Sequence, residues 1–185
     1  MTRIISGDAG GTRLDVPPSG TRPTSDRVRE SLFGALETTG MLDDTAVLDL
    51  YAGSGALGLE ALSRGAATAD LVEKGQKAAQ IVRGNAARVQ KATGREARTH
   101  AVAVQVFLRS TARTYDLVFI DPPYDLPPDQ LAADLALVAT VLASDGLVIV
   151  ERAQRSGSPD WGAAGLVAYR DKSYGDTALW WGELP

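Results

Sequence analysis

The chain contains no cysteine and one histidine, His100, among its 185 residues. Disulfides and cysteine-ligated zinc are thereby excluded, and a reducing compartment is compatible with the composition. A single histidine makes a histidine-rich metal site and a Ser-His-Asp triad poor readings. No apolar run approaches the roughly 18 residues of a membrane helix. The opening, Met1 to Ser6, lacks a signal-peptide apolar core, so the expected compartment is the cytoplasm. Positive charge is not in excess either: 19 Lys and Arg against 23 Asp and Glu leave a net charge of −4. That balance does not suggest nucleic-acid binding, although segregated charges can form a local basic face. Arg3, Arg13, Arg22, Arg27 and Arg29 gather early, whereas the stretch from Asp121 to Asp145 is acidic. Hydrophobic residues at 44 % and charged residues at 23 % describe an ordinary globular chain, long enough for one large domain or a core with a small extension.

What the chain does have is one stretch around which the rest is organised. A short apolar run, Ala46 to Leu50, leads into Gly53-Ser54-Gly55-Ala56-Leu57-Gly58, and helical spacing follows through Leu62. This is a full G-x-G-x-x-G in a strand–turn–helix context. Gly53 permits the tight turn, Gly55 lets backbone approach a ligand, and Gly58 lets helix and strand pack closely. Free amides at the helix start then face that ligand. Asp49, inside the strand, points a carboxylate at the same crevice. A fixed anion suits a cationic ligand better than a diphosphate, and S-adenosylmethionine carries both an ammonium and a sulfonium. Glu73 ends the next apolar run about 20 residues on, where an acid bonds ribose hydroxyls. A plain dinucleotide site and a glycine turn without a ligand are the alternatives.

From Asp44 onward strands and helices alternate. The pattern predicts strands at 46–50, 68–72, 98–102, 115–120, 146–151, 165–170 and 177–182, and helices near 56–64, 75–92, 104–110 and 128–143. Such alternation argues for a parallel sheet with right-handed crossovers and helices on both faces. The last two strands lack a helix-length linker, so an antiparallel terminal hairpin is expected. Residues 1–23 read as a small β unit turning at Gly10-Gly11. A helix follows, with Thr24 or Ser25 as N-cap and a stripe of Val28, Leu32, Phe33 and Leu36, ending near Gly40.

The second chemical signal is Asp121-Pro122-Pro123-Tyr124, directly after the strand 115–120. Ligands of open α/β sheets bind beyond the carboxyl ends of strands, at the switch in strand order, so this loop should face residues 53–58. Neither proline has an amide N–H, and Pro123 holds residue 122 extended. The loop therefore offers acceptors, the Asp121 carboxylate and the Pro122 carbonyl, which fit the two hydrogens of an exocyclic amine. Tyr124 can stack on the base that carries it. The bland reading is an ordinary turn after a strand, but two independent motifs converging on one crevice favour a site.

Together, the stretch Asp49 to Glu60 and Asp121 to Tyr124 resembles class I adenosylmethionine-dependent amino-methyltransferases. The blocks Arg3 to Gly7, Gly11, and Arg22 to Phe33 narrow the resemblance to the RsmD family, and Lys172 to Thr177 is similar to that family's closing pattern. The resemblance spans nearly the whole chain. It implies a Rossmann-like α/β fold with a seven-stranded, mostly parallel sheet, an antiparallel C-terminal hairpin and an N-terminal hairpin-plus-helix extension. Residues 1–40 would form the RNA-binding extension and 41–185 the methyltransferase domain. The implied reaction moves a methyl group from S-adenosylmethionine to N2 of one guanine in bacterial 16S ribosomal RNA, within the small subunit or an assembly intermediate, leaving S-adenosylhomocysteine. A monomer that needs no metal and no membrane is expected.

The same resemblance assigns residues. Asp49, Ala52, Gly53, Ser54, Gly55 and Gly58 would hold the methionine part, Glu73 the ribose, and Lys74 would flank adenine. Arg22 and Thr24 would close over the cofactor, and Asp121, Pro122, Pro123 and Tyr124 would bind the guanine amine. Where relatives often carry Asp or Asn to bond adenine, this chain has Ala103, which leaves adenine on backbone groups near Val104. Arg3, Arg13, Arg27 and Arg29 are the candidates for an RNA face. Rival readings are methylation of adenine N6 or cytosine N4 in DNA, of glutamine in proteins, and a non-catalytic ribosome-assembly factor. No separate DNA-recognition domain fits in 185 residues, and the intact Asp121-Pro122-Pro123-Tyr124 argues against lost turnover.

Overall fold

The computed structural model describes residues 2–18 and 25–185. Its centre is a seven-stranded sheet in the order β5-β4-β3-β6-β7-β9-β8. The strands are β3 (Ala46–Leu50), β4 (Thr68–Val72), β5 (Glu96–His100), β6 (Tyr115–Ile120), β7 (Leu142–Ala153), β8 (Val167–Tyr174) and β9 (Thr177–Glu183). The first five run parallel, and β9 is antiparallel to both β7 and β8. A two-stranded ribbon, β1 (Thr2–Arg3) with β2 (Arg13–Leu14), precedes helix α1 (Asp26–Thr38).

Alternation along the central strands divides two cores, as a sheet covered on both faces requires. Val47, Leu117, Phe119, Leu147 and Ile149 face α1, α2 (Ala56–Ser63) and α3 (Gln76–Thr93). Leu48, Leu50, Val118, Ile120, Val148 and Val150 face α4 (Val104–Ser110) and α5 (Pro128–Ala139). Ile4, Leu14, Val28, Leu32, Phe33 and Leu36 join the first of these cores, and Phe33 packs on Phe119 at a centroid distance of 5.7 Å. Helix α1 starts where Ser25 Oγ accepts the Val28 N–H at 3.3 Å.

Several boundaries depart from the sequence reading, among them β7, which spans Leu142–Ala153 rather than 146–151. The third main strand is 96–100 rather than 98–102, because edge strand β5 takes its register from β4, Thr68 opposite Glu96. An edge tolerates the polar Glu96 and Arg98, which apolarity alone passes over. Helix α5 stops at Ala139, and Leu142 already pairs with Tyr115. Strand β8 continues through the polar stretch Arg170 to Ser173 because its outer edge faces solvent.

Candidate active site

The strand order reverses between β3 and β6: β4 and β5 extend the sheet on one side of β3, and β6 and β7 on the other. Ligands of open α/β sheets bind at such a switch point, beyond the carboxyl ends. Leu50 lies opposite Ile120 and Val72, so the glycine loop, Glu73 and Asp121 leave three adjacent strands at one edge. The two motifs singled out in the sequence share that crevice.

The glycine loop is built under constraint. Tyr51, Gly53 and Gly55 adopt φ of 59°, 57° and 78°, left-handed values that glycine reaches freely and tyrosine does not. Gly55 is the N-cap of α2. A Cβ on Gly58 would stand 2.5 Å from Leu71 Cδ2 and 3.0 Å from Asp49 Cβ, so only glycine lets α2 pack this close to β3 and β4. Tyr51 is held by its hydroxyl, which donates to the buried Asp134 carboxylate at 2.5 Å. Gln105 Nε2 donates to the other Asp134 oxygen at 2.9 Å. That support from α4 and α5 escaped the sequence reading; its one signal was a charged residue on the apolar face of α5.

Two carboxylates give the crevice its character. Asp49 is 2 % exposed and accepts the Gly58 N–H at 2.8 Å. Burial pushes its carboxyl up to about 7; the Gly58 amide opposes that rise and the nearby Glu73 carboxylate adds to it. Glu73 accepts the Gly53 N–H at 3.1 Å and the Gly75 N–H at 2.8 Å, tying the loop to the end of β4. A buried carboxylate beside a second acid favours a cationic guest. The glycine cradle leaves room for backbone to approach that guest. This donor set fits S-adenosylmethionine and disfavours a pyrophosphate.

The other expected site residues fall as follows. Ala52 and Ser54 are buried in the loop, and Lys74 is exposed beside Glu73. The Val104 side chain is 7 % exposed and belongs to the core under α4, so backbone is what this position can present. Asp121 and Pro122 are half-buried, Pro123 is exposed, and Tyr124 is 72 % exposed. Arg22 and Thr24 lie outside the described residues. Arg3, Arg13 and Arg27 are exposed.

Arg29 is not surface. Its side chain has no exposure; it donates to Thr2 Oγ1, the Arg3 carbonyl and Asp26 Oδ1 at 2.9, 2.9 and 2.7 Å. Its other amine lies 3.6 Å from the equally buried Glu60. An arginine one turn into an amphipathic helix reads as solvent-facing, and here it faces the core because Glu60 neutralises it there. Glu60 also accepts the Ile5 and Ser6 amides at 2.7 and 3.1 Å and Arg64 Nε at 2.7 Å, so α2 itself holds the N-terminal unit. Asn85 adds a second tie, bonding both Asp15 and the Ser54 carbonyl. Sequence gave no pointer to Asn85, whereas Glu60, charged within Leu57 to Leu62, was visible as an anomaly.

The solved structure of magnesium protoporphyrin IX methyltransferase (ChlM) from Synechocystis, with bound SAM, superposes over 86 % of this chain and 79 % of its own, with TM-score 0.67 at 17 % identity. At that identity the match concerns the fold, and the fold is that of class I methyltransferases. Residues 2–183 match the family model described as "Conserved hypothetical protein 95". The chain belongs to this family, the RsmD family that its motifs resemble. It is 39 % identical over 178 residues to ribosomal RNA small subunit methyltransferase D of Escherichia coli K12, covering 91 % of this chain and 87 % of that protein. The solved structure of Escherichia coli yhhF matches with TM-score 0.84 and 34 % identity over 99 % of this chain and 98 % of its own.

Proposed function

We propose that this protein transfers a methyl group from S-adenosylmethionine to the exocyclic N2 of one guanine in 16S ribosomal RNA, in the small subunit or an assembly intermediate. The observation that carries the reading is the emergence of Asp121 from β6 beside the acidic glycine crevice of β3 and β4, at the switch point of the sheet. The name of the Escherichia coli relative supports the same substrate class.

Asp49 is the counter-ion of the cofactor's ammonium, with Ala52, Gly53, Ser54, Gly55 and Gly58 lining the methionine part. Glu73 bonds the ribose with the lone pairs its two amide contacts leave free. Lys74 flanks adenine, and backbone near Val104 holds its edge. Arg22 and Thr24 close over the cofactor from the segment before α1. When bound, S-adenosylmethionine supplies an electrophilic methyl group.

The guanine amine is a weak nucleophile because its lone pair is delocalised into the ring. The Asp121 carboxylate and Pro122 carbonyl accept its two hydrogens, which lets the nitrogen pyramidalise as its lone pair turns outward. Asp121 then stabilises the positive charge that builds on nitrogen, an electrostatic contribution often among the largest in catalysis. As the new N–C bond forms the methyl–sulfur bond breaks, leaving S-adenosylhomocysteine, and one amine proton passes to Asp121 or to water. Tyr124 stacks on the unstacked base, and Pro123 keeps Pro122 extended. Arg3, Arg13 and Arg27 contact RNA phosphates.

Among the described residues no helix is long and apolar enough to cross a membrane, and the protein acts in the cytoplasm as a monomer. The test is methyl transfer from tritiated cofactor offered in parallel to undermethylated 30S subunits, naked 16S RNA, DNA and protein. Label in the 30S or 16S RNA is expected. Label only in DNA or protein, or none in any arm, overturns the reading.

A further inference from the structure

Two cation–aromatic pairs stand at the loop after β6 and at the end of β8, and their cations have no role above. The Arg155 guanidinium sits 5.0 Å from the centroid of the Tyr124 ring, and Lys172 Nζ sits 5.2 Å from that of Tyr174. Tyr124 is 72 % exposed, Arg155 and Lys172 are exposed too, and Tyr174 is half-buried against the core. A cation held on an exposed surface in this way contributes little to stability, so the fold does not require Arg155 or Lys172.

Topology gathers both pairs at the catalytic edge. Strand β7 ends at Ala153, opposite Thr177, which is itself opposite Tyr174. Arg155 lies in the 3-10 turn Gln154–Ser156 directly beyond β7. The Gln154 N–H donates to the Asp176 carbonyl at 2.8 Å and fastens that turn to the β8–β9 turn. Tyr174 and the end of β7 are two strand spacings apart, about 10 Å. Lys172 Nζ donates to Ser31 Oγ at 3.1 Å, and Ser31 Oγ bonds the Tyr174 hydroxyl at 2.7 Å. Helix α1 thus joins the edge, and Arg27 stands one turn before Ser31. Acidic residues also belong to this edge: Asp125, Asp176, Glu30 beside Ser31, and Glu151, which lies in one cross-strand row with Leu179 and Lys172, while Asp171 alternates to the other sheet face from Lys172. The edge therefore offers one exposed ring and separate point charges rather than a broad positive field, which accords with a net charge of −4.

We propose that this edge is the track for the single-stranded RNA flanking the methylated guanine, an inference that rests on the rRNA reading above. Tyr124, which stacks on the guanine itself, starts the track, and Arg155 and Lys172 are its phosphate contacts, Lys172 being seated on the half-buried Tyr174 ring. Interleaved aromatic and basic side chains along one groove are what single-stranded nucleic acid needs, because every base has a π-face and every phosphate a charge.

The test compares the full-length chain with its Arg155→Gln/Lys172→Gln variant. The readouts are methyl transfer to undermethylated 30S subunits against substrate concentration over a salt series, S-adenosylhomocysteine affinity, and a thermal melt. The variant should raise KM for the subunit about tenfold. It should flatten the slope of log affinity against log salt by about 1.4, from about 0.7 for each single-strand phosphate contact, and leave cofactor affinity within about twofold. If the double variant fails to fold, Lys172→Gln alone serves, with half the slope change expected. A folded variant with wild-type KM and slope overturns the track alone. An equal loss of cofactor affinity also overturns it, by assigning the pairs to structure. A wild-type chain that methylates no small-subunit RNA overturns the rRNA reading and the track together.

Discussion

Asn85 exchanges a reciprocal pair of hydrogen bonds with the backbone of Asp15, accepting its N–H and donating to its carbonyl, both at 2.9 Å. The same amide donates to the Ser54 carbonyl at 2.8 Å. One side chain in the middle of α3 therefore couples the N-terminal segment to the glycine loop.

Asn85→Ala strips three backbone groups of their partner in a site with no solvent exposure. The expected loss is about 1–3 kcal/mol of stability, read as a lower urea midpoint, together with weaker cofactor binding. Unchanged cofactor affinity in the folded variant would show that the loop holds its shape without this tie.

Glu60→Ala should cost about 3–5 kcal/mol, because it leaves Arg29 buried without its closest carboxylate on α2. Glu60→Gln, which keeps a hydrogen-bonding group of the same shape, should cost less. Chemical denaturation orders the two variants. Equal and small effects would mean that Arg29 relaxes to solvent, and would reopen it as an RNA contact.

Asp49 gives cofactor binding a pH signature. Burial raises its folded carboxyl from the ordinary 3.8 to about 7, so the free folded protein holds this proton more tightly than the unfolded chain. Between those values the free protein loses stability as pH rises. A bound ammonium favours the carboxylate, so binding releases the proton, and affinity should rise roughly tenfold per unit as pH climbs toward 7 and level off above it. Calorimetric titrations with S-adenosylmethionine at pH 5.5, 6.5 and 7.5 check this, with Asp49→Asn losing the slope. That variant and Glu73→Gln should each bind about ten- to a hundredfold more weakly, for about 1.5–3 kcal/mol per charged hydrogen bond. A flat pH profile in the wild type would remove Asp49 as counter-ion.

Arg3 and Arg13 are directly opposite one another in the β1–β2 ribbon and both are exposed. Arg3→Glu with Arg13→Glu should weaken binding to the subunit and flatten its salt dependence, by nearly one unit per lost contact on duplex and less on single strands. Cofactor affinity should stay unchanged. An unaltered salt slope in a folded variant excludes this ribbon from RNA binding.

The alternation of apolar strands with helical spacing was enough to read the sheet, because a parallel sheet buried on both faces writes itself as runs such as Val47 to Leu50 and Leu117 to Ile120. Gly53, Gly55 and Gly58 were legible because each stands where a side chain would collide or the backbone turns left-handed. The polar ties were not legible. Asn85 bonds backbone atoms, and backbone partners leave no mark in sequence. Arg29 misled because helical periodicity counts charge as outward, whereas a buried acid on another helix reverses that. The edges of β5 and β8 were misplaced because an edge strand needs apolar residues on fewer sides.

The most direct test of the account compares the wild-type chain and Asp121→Ala with undermethylated 30S subunits and labelled S-adenosylmethionine, followed by nucleoside analysis of the RNA. The account predicts N2-methylguanosine with the wild type and none with Asp121→Ala, while the variant's cofactor affinity stays within a few-fold. Label on another atom, or substantial turnover retained by Asp121→Ala, would contradict it.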